Sequence, residues 1–184
     1  MRRALRTHPD DARGPVTRIE VEIDRRRPAA LAIAYELTGR IEDLRVPPPA
    51  PPARTDGLWR HTCFEAFVRP AQGEGYLEFN FSPSGRWAAY RFSGYRAGMA
   101  PVEELSPPRI ELTASAAALT LRAVMDLAPL PELAAAEAWR LGLSAVIEDT
   151  AGFISHWALA HPPGKPDFHH ADGFACQVRA PEDA

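Results

Sequence analysis

Cysteine is scarce: Cys63 and Cys176 are the only two in 184 residues. That is too few for a disulfide framework. No C-x-x-C pair exists to build a zinc site or a C-x-x-C-H haem attachment. Both thiols are expected to be free, small, buried groups. Positive charge is not in excess. The formal net charge is −3, whereas a nucleic-acid partner calls for a basic surface. Long apolar runs are missing as well. No stretch is long enough to span a bilayer, and no apolar core of a signal peptide follows the basic opening MRRALRTHPDDARGP. The expectation is a cytoplasmic protein with neither a nucleic-acid nor a membrane partner. No glycine-rich phosphate loop and no nucleophile elbow occurs, so the chain is read as a protein without catalytic activity.

Helical patterning is also sparse. Only LPELAAAEA, residues 130–138, reads as a short helix, entered after Pro129. Alternation with a period of two recurs instead. It marks Thr17–Asp24, Ala30–Gly39, Ile41–Val46, Leu58–Val68, Tyr76–Phe81, Arg86–Phe92, Arg109–Ser115, Ala118–Leu127, Arg140–Ile147, Phe153–Leu159 and Gly173–Arg179. Parallel sheets need crossover helices, so many strands with almost no helix predict an all-β, antiparallel sandwich or barrel. Residues 1–15 are expected to be a flexible N-terminus and 16–180 one domain. Prolines at 47, 48, 49, 51 and 52 interrupt the strands with an extended loop. Such a run can also serve as a ligand for an aromatic groove.

The stretch YLEFNFSPSGRWAAYRF predicts a hairpin, turning at Ser82-Pro83-Ser84-Gly85. If Phe81 faces Arg86 across that turn, Asn80 pairs with Trp87, Glu78 with Ala89 and Tyr76 with Arg91. Leu77, Phe79 and Phe81 then share the core face with Tyr90 and Phe92. Tyr76, Glu78, Asn80, Trp87 and Arg91 share the other. The preceding segment has the same character, with Trp59, His61, Cys63 and Glu65 alternating against Phe64, Ala66 and Val68. Carboxylates, an amide, a guanidinium and indoles on one sheet surface suit a sugar. Indole rings stack on its C–H faces, and polar groups meet its hydroxyls. The plainer reading is the solvated face of an antiparallel sheet carrying a cross-strand ion pair.

Four of the six histidines lie in SHWALAHPPGKPDFHH: His156, His161, His169 and His170. With Asp167 among them they are candidate transition-metal ligands, although their spacing matches no metal signature. His61 or one of these histidines, with Met99 or Met125, could form the axial pair of a haem. Glu65 and Glu78 could serve as a glycosidase-like carboxylate pair, but no second catalytic element accompanies them.

LWRHTCFEAFV, GYLEFNFSPSGRWAAYRFSGYRAGM and SHWALAHPPGKPDFHHADGF together resemble the bacterial DOMON-like domain proteins, which are related to family 9 carbohydrate-binding modules. Cys63–Phe67 resembles the acidic strand that precedes the ligand groove in those modules. Glu78-Phe79-Asn80, the SPSG turn and Tyr90-Arg91 resemble their strand, turn and strand. The resemblance spans residues 17–179. It implies a jelly-roll or immunoglobulin-like β-sandwich that binds a sugar or a haem without chemistry of its own. By the same resemblance, Trp59, Glu65, Glu78, Asn80, Trp87, Arg91 and Trp157 are the residues that would form a sugar site. Three functions stay open: a module for a sugar or sugar-like metabolite, a haem or metal protein using the terminal histidines, and an interaction domain with no small ligand.

Overall fold

The computed structural model describes residues 1–11 and 14–181. Its strands are β1 (Arg2–Thr7), β2 (Val16–Arg27), β3 (Ala30–Gly39), β4 (Cys63–Pro70), β5 (Tyr76–Phe81), β6 (Trp87–Phe92), β7 (Ala100–Pro101), β8 (Arg109–Ala114), β9 (Ala118–Asp126), β10 (Ala138–Glu148), β11 (Ile154–Ala158) and β12 (Cys176–Arg179). A single helical turn, α1 (Pro131–Ala134), lies between β9 and β10. No helix among the described residues is long and apolar enough to cross a membrane.

The strands pair antiparallel in the order β7-β6-β5-β4-β10-β11-β1-β2-β3-β9-β8, with β12 beside the start of β10. β1 is the hinge of this order. Its first half pairs with β2, while Arg6 and Thr7 pair with β11. The sheet thus curls into two layers, β2-β3-β9-β8 against β6-β5-β4-β10-β11, as the period-two patterning predicts. β1 lies inside the 1–15 segment expected to be flexible. Only Leu5 of its six residues is an apolar side chain turned into the core, so the sequence gives little sign of it.

Alternation explains the core. Ile19, Val21 and Ile23 of β2, and Leu31, Ile33, Tyr35 and Leu37 of β3, meet Phe64, Ala66 and Val68 of β4 and Leu77, Phe79 and Phe81 of β5 in one cluster. The Tyr35 hydroxyl crosses the layers and donates to the Glu65 carbonyl oxygen at 2.6 Å. Gly39 closes β3 with φ 155°, and a Cβ there would sit 2.2 Å from the Pro15 carbonyl oxygen. Only glycine fits that approach.

One expected strand and the start of another are helical turns instead. Ile41–Asp43 is a 3₁₀ turn, because the buried Ile41 and Leu44 are spaced by three rather than two. Leu58–Arg60 is another, entered through Gly57 at φ 76°. β4 therefore begins at Cys63, and Trp59 and His61 lie before it.

The β4–β5–β10 half differs from an ordinary antiparallel layer. Cys63–Val68 and all of β5 are buried on both faces. The segments at 93–99 and 160–175 cover the outer face. That covered face carries the candidate site.

Candidate functional site

The outer face is read off the strand register. Glu65 of β4 stands between Asn80 of β5 and Ser144 of β10. Glu78 pairs with Tyr90 of β6 on one side and with Phe67 of β4 on the other. Val146 of β10 pairs with His156 of β11. Phe67, Tyr76, Tyr90, Phe92 and Phe174 form a separate aromatic cluster on this face, apart from the main core. Tyr76 stacks on Phe92 with ring centroids 4.8 Å apart, and His169 meets Phe67 and Phe92 edge-on.

A cleft of about 340 Å³ opens here, with Glu65 and Glu78 at its floor. Its walls are Trp59, Phe92, Arg96, Met99, Phe168 and His169, with Val146, His156 and Pro166 completing it. The volume is at the lower end of the range for small-molecule sites, about 300–1,000 Å³. Trp59 is 38% exposed at the rim and meets Tyr90 edge-on.

The polar groups of the floor are tightly specified. Asn80 donates from Nδ2 to Glu78 Oε1 at 2.7 Å, while its own oxygen faces the buried Cys63 thiol at 3.6 Å. Glu65 is 3% exposed, and its Oε1 is buried without a hydrogen-bond partner. Desolvation, and then the nearby Glu78, push the Glu65 carboxyl well above the ordinary 4.5, against a smaller opposing pull from Arg96. Burial raises Glu78 too, opposed by the Asn80 bond and Arg96.

His169 is held in one tautomer. The Tyr76 hydroxyl oxygen accepts from the Arg96 amide at 3.2 Å, and the one acceptor within reach of its proton among the described residues is His169 Nδ1 at 2.8 Å. Nε2 must then carry the ring proton, and it points toward Glu78 Oε2 at 3.7 Å. Burial, and then the positive charge of Arg96, lower His169 to about 4. It is neutral at physiological pH.

Arg96 is the one non-glycine residue with positive φ among the described residues, at 52°. A left-handed side-chain residue costs roughly 1–2 kcal/mol. The Gly94–Ala97 turn, the amide bond to Tyr76 and an ion pair from Nη2 to Asp167 at 2.8 Å hold it there. Asp167 also accepts from Tyr95 and from the His169 amide. The Pro-Asp-Phe-His-His segment is thereby tied to the 93–99 loop, and together they wall the cleft.

The structure gathers Trp59, Glu65, Glu78 and Asn80. It does not gather the other sugar-site candidates. The hairpin register differs from the expected one by a residue: Phe81 pairs with Trp87 and Leu77 with Arg91. Gly85 is left-handed at φ 88°, and Arg86 is an extra residue in a bulge whose carbonyl takes the Ser82 amide. A one-residue slip turns every β6 side chain to the opposite face. Trp87 thus enters the main core, with Arg54 stacked 4.2 Å above its ring. Arg91 lies on the far side, paired with Glu104 and Glu132. Trp157 pairs across from Ala145 and is buried in the main core. His61 is not among the residues lining the cleft, and its Nδ1 meets Glu148 at 2.7 Å.

Of the histidine candidates, His156 and His169 reach the cleft, and His161 and His170 do not. His156 faces Asp11, His161 Nε2 bonds the Arg6 carbonyl, and His170 caps the 171–173 turn through the Asp172 amide. No group of three His, Cys, Asp or Glu side chains able to hold a metal occurs among the described residues. Arg96, Phe92 and Phe168 are the site residues that sequence reasoning misses. Phe92 falls to the register slip. Nothing local links Arg96 to Asp167, 71 residues away.

The sequence matches no family model, and no curated protein matches it. Solved structures do share its fold. A crystal structure titled as "a putative carbohydrate-binding protein" from Bacteroides uniformis superposes with TM-score 0.66 at 12% identity, covering 98% of this chain and 86% of that one. A family 9 carbohydrate-binding module from Caldicellulosiruptor kristjanssonii, in complex with glucose, gives 0.54 at 8% identity, covering 94% and 81%.

Proposed function

We propose that the chain is a non-catalytic module that binds a sugar or sugar-like small molecule in this cleft. The observation that carries the reading is the unpartnered Glu65 Oε1, buried at the floor of a cleft that an indole and other apolar groups wall. A buried carboxyl oxygen without a partner costs free energy, and a ligand hydroxyl would supply the bond. Glu78 and the His169 Nε2–H offer the next acceptor and donor. Trp59, at the rim, is placed to stack on a ring. The fold shared with carbohydrate-binding proteins supports the same reading, as does the resemblance to DOMON-like proteins.

The carboxyl positions support binding rather than catalysis. Glu65 and Glu78 project from neighbouring positions of one sheet face. Glycosidase carboxyls flank the scissile bond, which two groups on the same floor do not do. A cytoplasmic location belongs to this reading as well. A haem reading draws on Met99, which shares the cleft with His156 and His169. It is the weaker of the two, because the floor is carboxylic and Tyr76 holds His169 Nδ1. A Soret band in freshly purified protein would decide for it.

Calorimetric titration with monosaccharides and disaccharides tests the proposal. Saturable binding is expected. Trp59→Ala should weaken it about tenfold by loss of stacking, with the melting temperature little changed since the ring is partly exposed. If no sugar binds, the proposal fails.

A further inference from the structure

The cleft is rich in acceptors and poor in positive charge. From β4 comes Glu65 and from β5 Glu78, two carboxyl groups at the floor, while Asp167 of the terminal loop pairs with Arg96 at the wall. Facing them, the one guanidinium or ammonium lining the cleft among the described residues is Arg96, and its Nη2 pairs with Asp167. No other element restores the balance. β6 contributes Tyr90, which donates its hydroxyl to a further carboxylate, Asp56, at 2.7 Å. β10 contributes the Ser144 hydroxyl beside Glu65, buried without a partner, and β11 contributes His156, which faces Asp11. The Cys63 thiol, near Glu65, brings no charge and is bonded to the Asn80 oxygen. His169 brings one donor, Nε2–H, and it stands 3.7 Å from Glu78 Oε2, beyond hydrogen-bond distance. Glu65 Oε1 is therefore a buried acceptor without a partner, and Glu78 Oε2 on the same floor is open to a ligand donor.

We propose that the cleft selects a hydroxylated ligand bearing a protonated amine, preferring it to the neutral parent compound and rejecting the corresponding acid. The inference rests on the sugar-binding reading and names the charge class of the ligand. An ammonium brings the positive charge that the floor lacks and up to three donors. A hydroxyl at the same position brings one donor and no charge. A ligand carboxylate would face Glu65 and Glu78, and would have to share the Arg96 guanidinium with Asp167.

The empty cleft manages the shortfall by protonation. Burial and mutual repulsion favour the neutral acid form of Glu65, and burial does the same for Glu78. When an ammonium docks, the carboxylic acid gives its proton to the solvent buffer and becomes the carboxylate that pairs with it. The ligand keeps its own protons. Amine binding therefore releases protons, and its affinity rises with pH until the free amine itself begins to deprotonate.

The test is calorimetric titration of the full chain at neutral pH. The probes are glucosamine, galactosamine and mannosamine, their parents glucose, galactose and mannose, and glucuronate and galacturonate. Each titration is run in two buffers of different ionisation enthalpy. The bound amine should show roughly tenfold higher affinity than its parent, the difference between a charge-assisted and a neutral hydrogen bond. It should release protons, and the uronates should not bind measurably. Glu65→Gln and Glu78→Gln, each checked for an intact thermal transition, should shrink the amine-to-parent ratio toward one. Parents that bind as tightly as amines, or uronates that bind as well as either, would overturn the charge inference and leave the sugar reading standing. Silence from all eight compounds would overturn the charge inference, and silence from the disaccharides as well would remove the sugar reading.

Discussion

A buried carboxyl with no partner is unfavourable in the empty protein, and Glu65 shows how that disadvantage should be measured. An acid whose folded-state pKa is raised keeps its proton longer when folded than when unfolded. The stability it allows is whole below the unfolded value near 4.5 and is lost as pH rises toward the folded value. Glu65→Gln should therefore raise the melting temperature at pH 7–8, corresponding to about 0.5–2 kcal/mol, while the two proteins converge toward pH 4. Paired thermal scans across pH would show it, and parallel profiles would contradict the raised pKa. His169 acts in the opposite sense. Its folded value is depressed to about 4, so its contribution is whole above 6.5 and is lost as pH falls between the two. His169→Phe keeps an aromatic ring against Phe67 and Phe92 and should flatten the acid side of the profile. At this scale Glu65, Glu78 and Asn80 are legible in the sequence, because polar residues alternating with Phe64, Ala66, Leu77 and Phe79 must share a face. Arg96 is not, since its partners come from a segment 71 residues away.

One hairpin turn decides which candidates reach the cleft. The Ser82-Pro83-Ser84-Gly85 composition announces a turn, but it does not show that Arg86 joins a bulge. That extra residue sends Trp87 to the core and Arg91 to the outside. The two substitutions should then diverge. Arg91→Ala removes partly exposed ion pairs with Glu104 and Glu132, so it should cost under about 1 kcal/mol and leave sugar affinity unchanged. Trp87→Ala empties a buried site and should cost about 3–5 kcal/mol. Urea unfolding of both variants, with titration of the folded Arg91 variant, checks the register. A loss of sugar affinity in Arg91→Ala would speak for the other pairing. The 3₁₀ turn at Leu58–Arg60 has a similar effect, because it frees Trp59 from the phase of β4 and sets it at the rim.

Across the whole molecule, the two layers play different parts. β2, β3 and β9 present one apolar face to the core and a polar face outward, the alternation that sequence shows most clearly. β4, β5 and β10 are buried on both faces, because the 93–99 and 160–175 segments fold over them. Period-two patterning predicts the sandwich but not these covers, whose contacts join residues far apart in sequence. The cleft lies between the covers and the sheet, with Trp59 at its mouth. Of the four tryptophans, Trp87, Trp139 and Trp157 are buried in the main core, and Trp59 alone lines the cleft. Tryptophan emission is therefore a direct reporter of occupancy, and the measurement to make is a fluorescence titration with monosaccharides of the wild type beside Trp59→Phe. A sugar bound as proposed will give a saturating change in the wild type that is largely absent from the variant. No change with any sugar, or an equal change in both proteins, would contradict a sugar site in this cleft.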